Sequence, residues 1–302
     1  METSKSTESL HHVTALNQNF QVNKKKVNPK NIVLHVLIIG IGIIMLYPLL
    51  WMVSSSFKEG TEIFKNVSFL PTKVTFENYL QGWAGLSGIQ FSRFFLNTFT
   101  LVFFCIIGNV ISCSMAAYAF ARLDFSLKKV LFAIMLVTMM LPFHVTVIPQ
   151  YIMFNKLEWI NTYIPLILPK FLAVDGFFIF LMVQFIRSIP RELDEAAKID
   201  GCGPIRMYYS LIMPLALPAV ITTIIFTFIW TWNDFFSQLL YISDIKLYTV
   251  ALGLRMFLDA TGQNSWGALF AMSTLSLIPL FIIFIFFQKY LIEGITTGGV
   301  KG

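Results

Sequence analysis

The sequence predicts an all-α integral membrane protein with six transmembrane helices, on three observations. Hydrophobic residues make up 56% of the 302 residues and charged residues only 13%, whereas about a quarter of the residues in a soluble domain are charged. The hydrophobic residues are concentrated in runs of roughly 20, the length that a helix needs to cross a bilayer. No run alternates between apolar and polar residues over about 10 positions, as the strands of a membrane barrel do. This composition disfavours a soluble enzyme, a disordered chain and a collagen-like repeat.

The six predicted spans are residues 32–53, 95–119, 130–148, 166–186, 218–241 and 266–287. The fourth span contains Lys170 and Asp175, and the fifth contains Asp234. A charge at the centre of a span costs roughly 2.5–3.5 kcal/mol on insertion scales, so we expect these side chains to face water or another polar group. Pro165 and Pro169 crowd the start of the fourth span and predict a break or a tilt there.

Lysine and arginine residues between the spans set the predicted orientation, because the cytoplasmic loops of membrane proteins are enriched in them. They concentrate on one side, which also accounts for the net charge of +6, and both termini fall on that side. The sequence thus predicts a cytoplasmic N-terminal tail (1–31), a six-helix transmembrane domain (32–287) and a cytoplasmic C-terminal tail (288–302). The N-terminal tail is too long and the first apolar run is too long for a cleavable signal peptide. We call residues 187–217, on the predicted cytoplasmic side, the long loop.

The sequence lacks the motifs of common catalytic and nucleotide-binding sites. It contains no Gly-x-x-x-x-Gly-Lys-Ser/Thr phosphate loop, no His-Glu-x-x-His motif and no Gly-x-Ser-x-Gly elbow. The cysteines have neither metal-ligand spacing nor the pattern of a disulfide framework, and are interpreted as small apolar fillers: Cys105, Cys113 and Cys202. The histidines are scattered, and those in spans either pack between helices or relay protons: His11, His12, His35 and His144. We predict a chain that is not an enzyme, with no catalytic residue, no metal and no cofactor of its own.

The long loop is predicted to fold as a helix, a sharp turn and a second helix. Ser188 is the predicted cap of the first helix, with Pro190 in its first turn. Gly201 is the predicted stop, since glycine tolerates the left-handed conformation that ends many helices. The second helix is predicted to start at Pro204.

One face of the first predicted helix consists mainly of small side chains. Leu193, Ala196, Ala197 and Asp200 have the i, i+3, i+4, i+7 spacing of a single helix face. A face of small residues lets another backbone approach closely, which favours docking into a cleft on a partner. An amphipathic helix that packs on its own membrane domain has the same pattern, so both interpretations stay open.

The long loop also contains a distinctive motif, which reads Glu195-Ala196-Ala197-x-x-Asp200-Gly201, followed by Ile212-Met213-Pro214 and by Pro218. This motif resembles the EAA loop of binding-protein-dependent ABC importer permeases. Cys202 and Met213 depart from the usual alanine and leucine but keep the size class. Three further segments resemble the carbohydrate-uptake (MalG-like) subfamily: residues 116–122, residues 232–235 and the ending from residue 288 to 302. The resemblance covers residues 32–302.

The resemblance implies an ABC importer permease (MetI-like) fold in a bacterial cell membrane, with sugars, oligosaccharides in particular, as the transported solute. It implies that a second homologous permease completes the translocation path within membrane lipid. Two copies of a cytoplasmic ATPase would bind ATP and Mg, and an extracellular solute-binding protein would deliver the solute. Nucleic acid is not an expected partner.

The resemblance also assigns roles to residues of this sequence. The ATPase-coupling residues implied by it are Glu195, Ala196, Ala197, Asp200, Gly201 and Pro214. The C-terminal tail, including Gly298, Gly299 and Lys301, is either a frayed terminus or a contact to the ATPase. The residues expected along the substrate path are Asp175, Trp230, Trp232, Asn233 and Asp234, although the tryptophans are equally typical of membrane-interface anchors.

Two other classes of transporter remain as alternatives. An importer permease for amino acids, peptides or glycerol phosphate shares the EAA loop, and only the flanking segments favour sugar. A secondary transporter, which needs no ATPase, is expected to show inverted repeats or several paired intramembrane charges, and neither is evident here. A channel or a membrane-embedded enzyme is disfavoured by the missing chemistry.

Overall fold

The computed structural model describes residues 29–60, 62–65, 68–259 and 265–299. Every regular element in these residues is helical, as the sequence predicts. The chain divides into two compact units, Met1–Trp51 and Met52–Gly302. The elements are α1 (Pro29–Ser55), α2 (Glu62–Lys65), α3 (Glu77–Ala84), α4 (Phe91–Arg122), α5 (Lys128–Met139), α6 (Phe143–Lys156), α7 (Ile164–Phe171), α8 (Gly176–Ser188), α9 (Glu192–Ile199), α10 (Pro204–Met207), a π-helical turn (Tyr208–Ile212), α11 (Met213–Leu215), α12 (Leu217–Asn233), α13 (Phe236–Tyr241), a 3₁₀ turn (Ile245–Leu247), α14 (Val250–Asp259) and α15 (Ser265–Gly299).

Helix α4 is the centre of the second unit. It is 32 residues long, which at 1.5 Å per residue exceeds the thickness of a bilayer core. One half of α4 packs with α8 and the long loop around Ala117, Met182 and Ile212. The other half packs with α12, α14 and α15 around Phe94 and Met272. The same helix therefore contributes to both hydrophobic cores.

Four helical segments are long and apolar enough to cross a membrane singly: Ile32–Ser55, Phe91–Arg122, Ile164–Ser188 and Trp266–Lys289. Two further spans form only if each of two bent helix pairs is counted as one, which gives up to six. One bent pair is α5 with α6, at 100°, and the other joins Pro204–Leu215 to α12, at 77°. The prediction of six spans therefore agrees with the upper end of the range of four to six, at which each bent pair counts as one span.

The prediction of one continuous helix over residues 130–148 is wrong. Helix α5 ends at Met139 and α6 begins at Phe143. Pro142 lies between them in an extended conformation, and a proline disfavours helical backbone at the residue before it. The apolar composition of this segment therefore predicted a membrane span but did not predict the bend within it.

The fourth and fifth predicted spans are also interrupted, at places that the sequence did not indicate. Both prolines at the start of the fourth span lie within α7, and the break falls at residues 172–175 instead. The fifth predicted span ends as a helix at Asn233, and α13 follows after Asp234 and Phe235. Each of these breaks contains one of the acidic residues that the sequence placed inside a span.

The predicted C-terminal tail is not separate from the last helix. Helix α15 continues from Ser265 through Gly299, so residues 288–299 of the predicted tail are helical. The two interpretations of its end, a frayed terminus or a contact to the ATPase, both stay predictions. Gly298 and Gly299 are the last two residues of this helix. Lys301 lies outside the described residues, as do His11 and His12.

Candidate functional site

The first helix of the long loop is α9, eight residues from Glu192 to Ile199. The predicted cap at Ser188 is wrong, because Ser188 is the last residue of α8 and its hydroxyl donates to the Phe185 carbonyl at 2.7 Å. Ile189 then adopts an extended conformation, as expected for a residue that precedes a proline. Helix α9 thus starts later than the sequence indicates, and Arg191 precedes it without a side-chain cap.

The sharp turn after α9 is confirmed at Gly201. Its φ is +75°, in the left-handed region that glycine adopts without steric cost. The Cys202 amide donates to the Ala197 carbonyl at 2.9 Å, and the Gly201 amide donates to the Lys198 carbonyl at 3.0 Å. This pair of bonds is the Schellman arrangement, which satisfies the carbonyls at the end of a helix. The turn is therefore a fixed geometry that holds the end of α9.

The small-residue face of α9 is largely uncovered by the rest of the chain. Leu193, Ala196 and Asp200 are exposed, and only Ala197 of this face is partly buried. Glu195 is exposed as well. Self-packing thus uses a narrow edge of the helix, and the predicted docking face remains available to a partner.

The buried contact of α9 is made by Asp194, which the sequence analysis did not single out. An oxygen of its carboxylate lies 3.2 Å from Nε of Arg122, the last residue of α4, and the two side chains are 11% and 3% exposed. Arg122 also donates from Nη2 to the Ile189 carbonyl at 2.7 Å. Burial of a charge is costly unless it is paired. The sequence signal for this ion pair was an arginine at the end of an apolar span together with an acidic residue beside the motif.

The second half of the long loop is bound to α4 by two tyrosines. The Tyr118 hydroxyl donates to the Pro204 carbonyl at 3.0 Å. Tyr208, in the π-helical turn, shares a hydrogen bond of 2.7 Å with Ser114. Pro214 lies just after the π-helical turn, in α11, and is exposed. Pro214 is thus two residues before Ala216, where the segment Pro204–Leu215 bends by 77° into α12.

Large apolar side chains are exposed on the long loop in the midst of its charged residues. Ile199 is 86% exposed, Ile205 76% and Tyr209 65%. These residues lie in or beside α9 and α10, away from the apolar runs of the spans. Contiguous exposed apolar surface rimmed by polar groups is typical of a protein–protein contact.

Asp175 lies at the break between α7 and α8 and is paired inside the chain. Its carboxylate accepts from the Lys170 ammonium at 2.7 Å and from the Asn109 amide at 2.7 Å. Asn109 is fully buried and also donates to Thr227 at 3.1 Å. The ion-paired side chains keep about a quarter of their surface exposed, 28% for Lys170 and 23% for Asp175. The two charges that the sequence placed in the fourth span therefore neutralise each other.

The other four residues predicted along the substrate path do not form one site with Asp175. Asp234 accepts from the Ser237 amide at 3.0 Å and so caps the start of α13, while Asn233 donates to the Ile229 carbonyl at 2.8 Å. Trp232 is 3% exposed and stacks on the ring of Phe228 in the core. Trp232 is therefore a packing residue in this structure.

Trp230 alone among the predicted path residues presents an aromatic surface. It is 47% exposed and contacts Phe177 and Phe178 of α8 and Phe226 of α12, with ring centroids 5.1–5.7 Å away. Thr227, the partner of Asn109, lies one helical turn before Trp230 on α12. The exposed ring and one member of the polar cluster, Thr227, are thus carried by the same helix, α12.

The cysteines of the described residues are not paired. Cys105 and Cys113 are buried, and Cys202 is partly exposed. In the same part of the chain, no three histidine, cysteine or acidic residues are grouped so that they could hold a metal ion.

Residues 108–297 match the family model of the binding-protein-dependent transport system inner membrane component. The chain is 36% identical to the probable ABC transporter permease protein YurM of Bacillus subtilis over 256 residues, 85% of this chain and 84% of that protein. It is 32% identical to the arabinooligosaccharides transport system permease protein AraQ of Halalkalibacterium halodurans, over 92% of this chain and 100% of that protein.

The fold is similar to that of a solved bacterial ABC transporter involved in the import of the acidic polysaccharide alginate. The TM-score is 0.78 at 23% identity, over 88% of this chain and 98% of that chain. This likeness confirms the permease fold that the sequence predicted. With the matched family model and its motif-bearing long loop, the chain belongs to the family of binding-protein-dependent transport system inner membrane components, the permease subunits of ABC importers.

Proposed function

We propose that this chain is the permease of an ATP-driven importer of oligosaccharides, and that α9 is the element through which a separate ATPase moves it. The observation that carries the proposal is the uncovered face of a short helix whose end is fixed at Gly201. A helix whose C-terminal end is held by a Schellman turn transmits a displacement as a unit, because that end cannot unwind without losing hydrogen bonds.

Three observations support docking of an ATPase on the long loop. The exposed apolar residues Ile199, Ile205 and Tyr209 offer surface for burial in a partner. Glu195, which is exposed on α9, offers a carboxylate for a charged or hydrogen-bonding group of that partner. The sequence itself has no phosphate loop, so the hydrolysed nucleotide belongs to another chain.

The flanking motifs and the relatives support sugar as the solute. AraQ is named for the transport of arabinooligosaccharides, and its similarity extends over nearly the whole of this chain. The exposed ring of Trp230 and the partly exposed Lys170–Asp175 pair are the two kinds of group that contact a sugar, an aromatic face and hydrogen-bonding charges. Charges at membrane depth are stable where they line a cavity that contains water, and a translocation path is such a cavity.

The test is uptake by the reconstituted complex of this chain with its partner permease, the ATPase and the solute-binding protein. Labelled arabino- or maltooligosaccharides should accumulate in vesicles with ATP and not without it. Parallel assays replace the oligosaccharide by an amino acid, a dipeptide or glycerol phosphate, each at the same saturating concentration with the binding protein present. Uptake of one of these solutes would indicate the corresponding class of importer. Accumulation driven by an ion gradient in vesicles that lack the ATPase would refute the proposal.

A further inference from the structure

Three side chains of α4 form a single row that faces the long loop. Ser114, Tyr118 and Arg122 are spaced four residues apart, and residues at this spacing lie one above the other on a helix. All three are buried: Ser114 and Tyr118 are 1% and 6% exposed, and the side chain of Arg122 is 3% exposed. We call these three residues the α4 row.

Each member of the α4 row binds a different part of the long loop. Ser114 bonds Tyr208 in the π-helical turn. Tyr118 bonds the carbonyl of Pro204 at the start of α10. Arg122 bonds the carbonyl of Ile189 before α9 and pairs with the carboxylate of Asp194 within it. The row therefore contacts both arms of the loop, on either side of the turn at Gly201.

These contacts give the long loop a rigid attachment to one membrane helix. Hydrogen bonds and ion pairs at buried positions are directional, whereas apolar contacts allow sliding. An arginine fork that holds a backbone carbonyl and approaches a carboxylate also fixes orientation better than a single point charge would. The exposed remainder of α9 has no comparable tie to any other helix among the described residues.

We propose that the α4 row is the mechanical link of the importer, so that the long loop and α4 move as one body when the ATPase closes. The inference rests on the proposed function, since it presumes that an ATPase displaces α9. It adds the identity of the membrane helix that receives the motion and of the side chains that carry it. They are positioning residues: they act through the loop and touch neither nucleotide nor solute.

The first test measures uptake per ATP hydrolysed in the reconstituted complex. Tyr118→Phe and Ser114→Ala each remove one hydrogen bond and keep the packing, and each should lower this ratio by about fivefold. Thr100→Ala is the matched control, because Thr100 is an exposed residue of α4 outside the row and its hydroxyl donates to the Leu96 carbonyl of the same helix at 2.8 Å. ATP hydrolysis itself should continue, since the ATPase still docks. A ratio that stays at the wild-type value in both row variants would overturn the inference.

Variants of the ion pair separate mechanical coupling from folding. Arg122→Ala leaves the Asp194 carboxylate buried without its cation, which destabilises the fold, so this variant does not separate coupling from folding. Arg122→Met with Asp194→Leu replaces both charges by apolar groups of similar volume, a change that commonly preserves stability. This double variant should reach the membrane in wild-type amount and hydrolyse ATP with little uptake. Arg122→Lys keeps the charge and should restore part of the uptake. Full uptake by the double variant would count against the link.

The decisive measurement follows the motion directly by spin-label distances in the whole complex. Cys202→Ala removes the partly exposed native thiol. Cysteines for the labels are introduced at Glu192 on α9 and at Met115, an exposed residue of α4. This distance should be the same with and without ATP. The distance from Glu192 to Val137, an exposed residue of α5, should change. A change between Glu192 and Met115 would refute the rigid link, and no change in either pair would refute transmission through the loop.

The unaltered protein distinguishes failure of this inference from failure of the proposed function. If the wild-type complex shows no ATP-dependent uptake of any solute, the proposed function fails. If it transports and hydrolyses normally while the Glu192–Met115 distance shifts, only the link through α4 fails.

Discussion

The turn at Gly201 offers a perturbation whose magnitude follows from the backbone. Gly201 has a φ of +75° and no heavy atom within 4 Å of an added Cβ, so a substitution there is opposed by conformation and not by space. Left-handed backbone costs an ordinary residue about 1–2 kcal/mol, and more for a β-branched side chain. Relaxing the turn instead loses the bonds of Gly201 and Cys202 to α9, each contributing about 1 kcal/mol. The cheaper route sets the cost, which is therefore about 2 kcal/mol.

Gly201→Val should thus lower the population of the formed turn by about thirtyfold, and ATP-driven uptake should fall with it. Gly201→Asn should be much milder, since asparagine tolerates the left-handed region. Gly203→Val is the matched control two residues away: Gly203 is extended, with a φ of −72° and open space around it, and an extended position before a proline suits valine. Gly201→Asp adds a negative charge at the negative end of the α9 dipole and should be more damaging than Gly201→Asn.

The assay is initial uptake in reconstituted vesicles, divided by the amount of chain in the membrane and compared with co-purification of the ATPase. Hydrogen exchange at the amide of Cys202 reports the turn itself, and its protection should fall in Gly201→Val and persist in Gly203→Val. Equal uptake by these two variants would refute the argument that a rigid turn is needed. Equal loss of uptake in both variants would also refute it, because it would mean that any added side chain disturbs the loop, whatever the backbone conformation.

Three other perturbations give distinct outcomes. Glu195→Ala should abolish uptake while leaving the chain in the membrane, because it removes the exposed carboxylate offered to the ATPase; Glu192→Ala, also exposed on α9, is the control, and equal behaviour of the two variants would remove Glu195 from the coupling site. Deletion of residues 296–302 should impair the coupling of ATP hydrolysis to uptake if the tail contacts the ATPase, and unchanged coupling would rule that contact out. The hydrogen bonds from Thr72 hold the pKa of Glu62 below its usual 4.5. The contact between the two residues should therefore persist at neutral pH and be lost as the pH falls through this lowered pKa. The hydrogen-exchange rate of the Thr72 amide should show an added rise in that pH range, and this added rise should be absent in Glu62→Gln.

The sequence predicted those parts of the fold that depend on composition and on local backbone chemistry. Long apolar runs predicted the helices because a bilayer excludes unpaired backbone groups. The stop at Gly201 was predictable because so few residues adopt a positive φ at low cost. The start of α9 was not, since Ser188 is a plausible cap by type, yet the apolar pattern of α8 continues through it until Pro190 intervenes.

The contacts that join distant segments were beyond the sequence for a different reason. Asp194 and Arg122 are 72 positions apart, and Tyr118 bonds a carbonyl 86 positions away. Nothing in the local pattern distinguishes Asp194 from its exposed neighbours Glu192 and Glu195. Only the angle at which α9 crosses the end of α4 decides which of three acidic residues is buried.

The break between α7 and α8 is supported by α4, the same helix that holds the long loop. A gap in a membrane helix leaves backbone groups without partners, and these must be satisfied by protein when lipid surrounds them. Ser112 donates to the Lys170 carbonyl at 2.7 Å, and the Asn109 side chain holds the carboxylate of Asp175. At Gly108 an added Cβ would lie 2.7 Å from the ring of Phe171, so glycine is what lets the two helices approach this closely.

Near its middle, α4 therefore carries the polar side chains that bind the break between α7 and α8. Towards its C-terminal end it carries the α4 row, which binds the long loop. The residues at the break and those of the row lie on one continuous helix without a proline, and such a helix bends little over this length. A displacement at Arg122 must then reach Asn109, about 20 Å away at 1.5 Å per residue. Because Asn109 also bonds Thr227 of α12, movement of α4 changes the geometry around the Lys170–Asp175 pair. Through α4, the proposed ATPase-docking loop is thus connected to the Lys170–Asp175 pair at the break between α7 and α8.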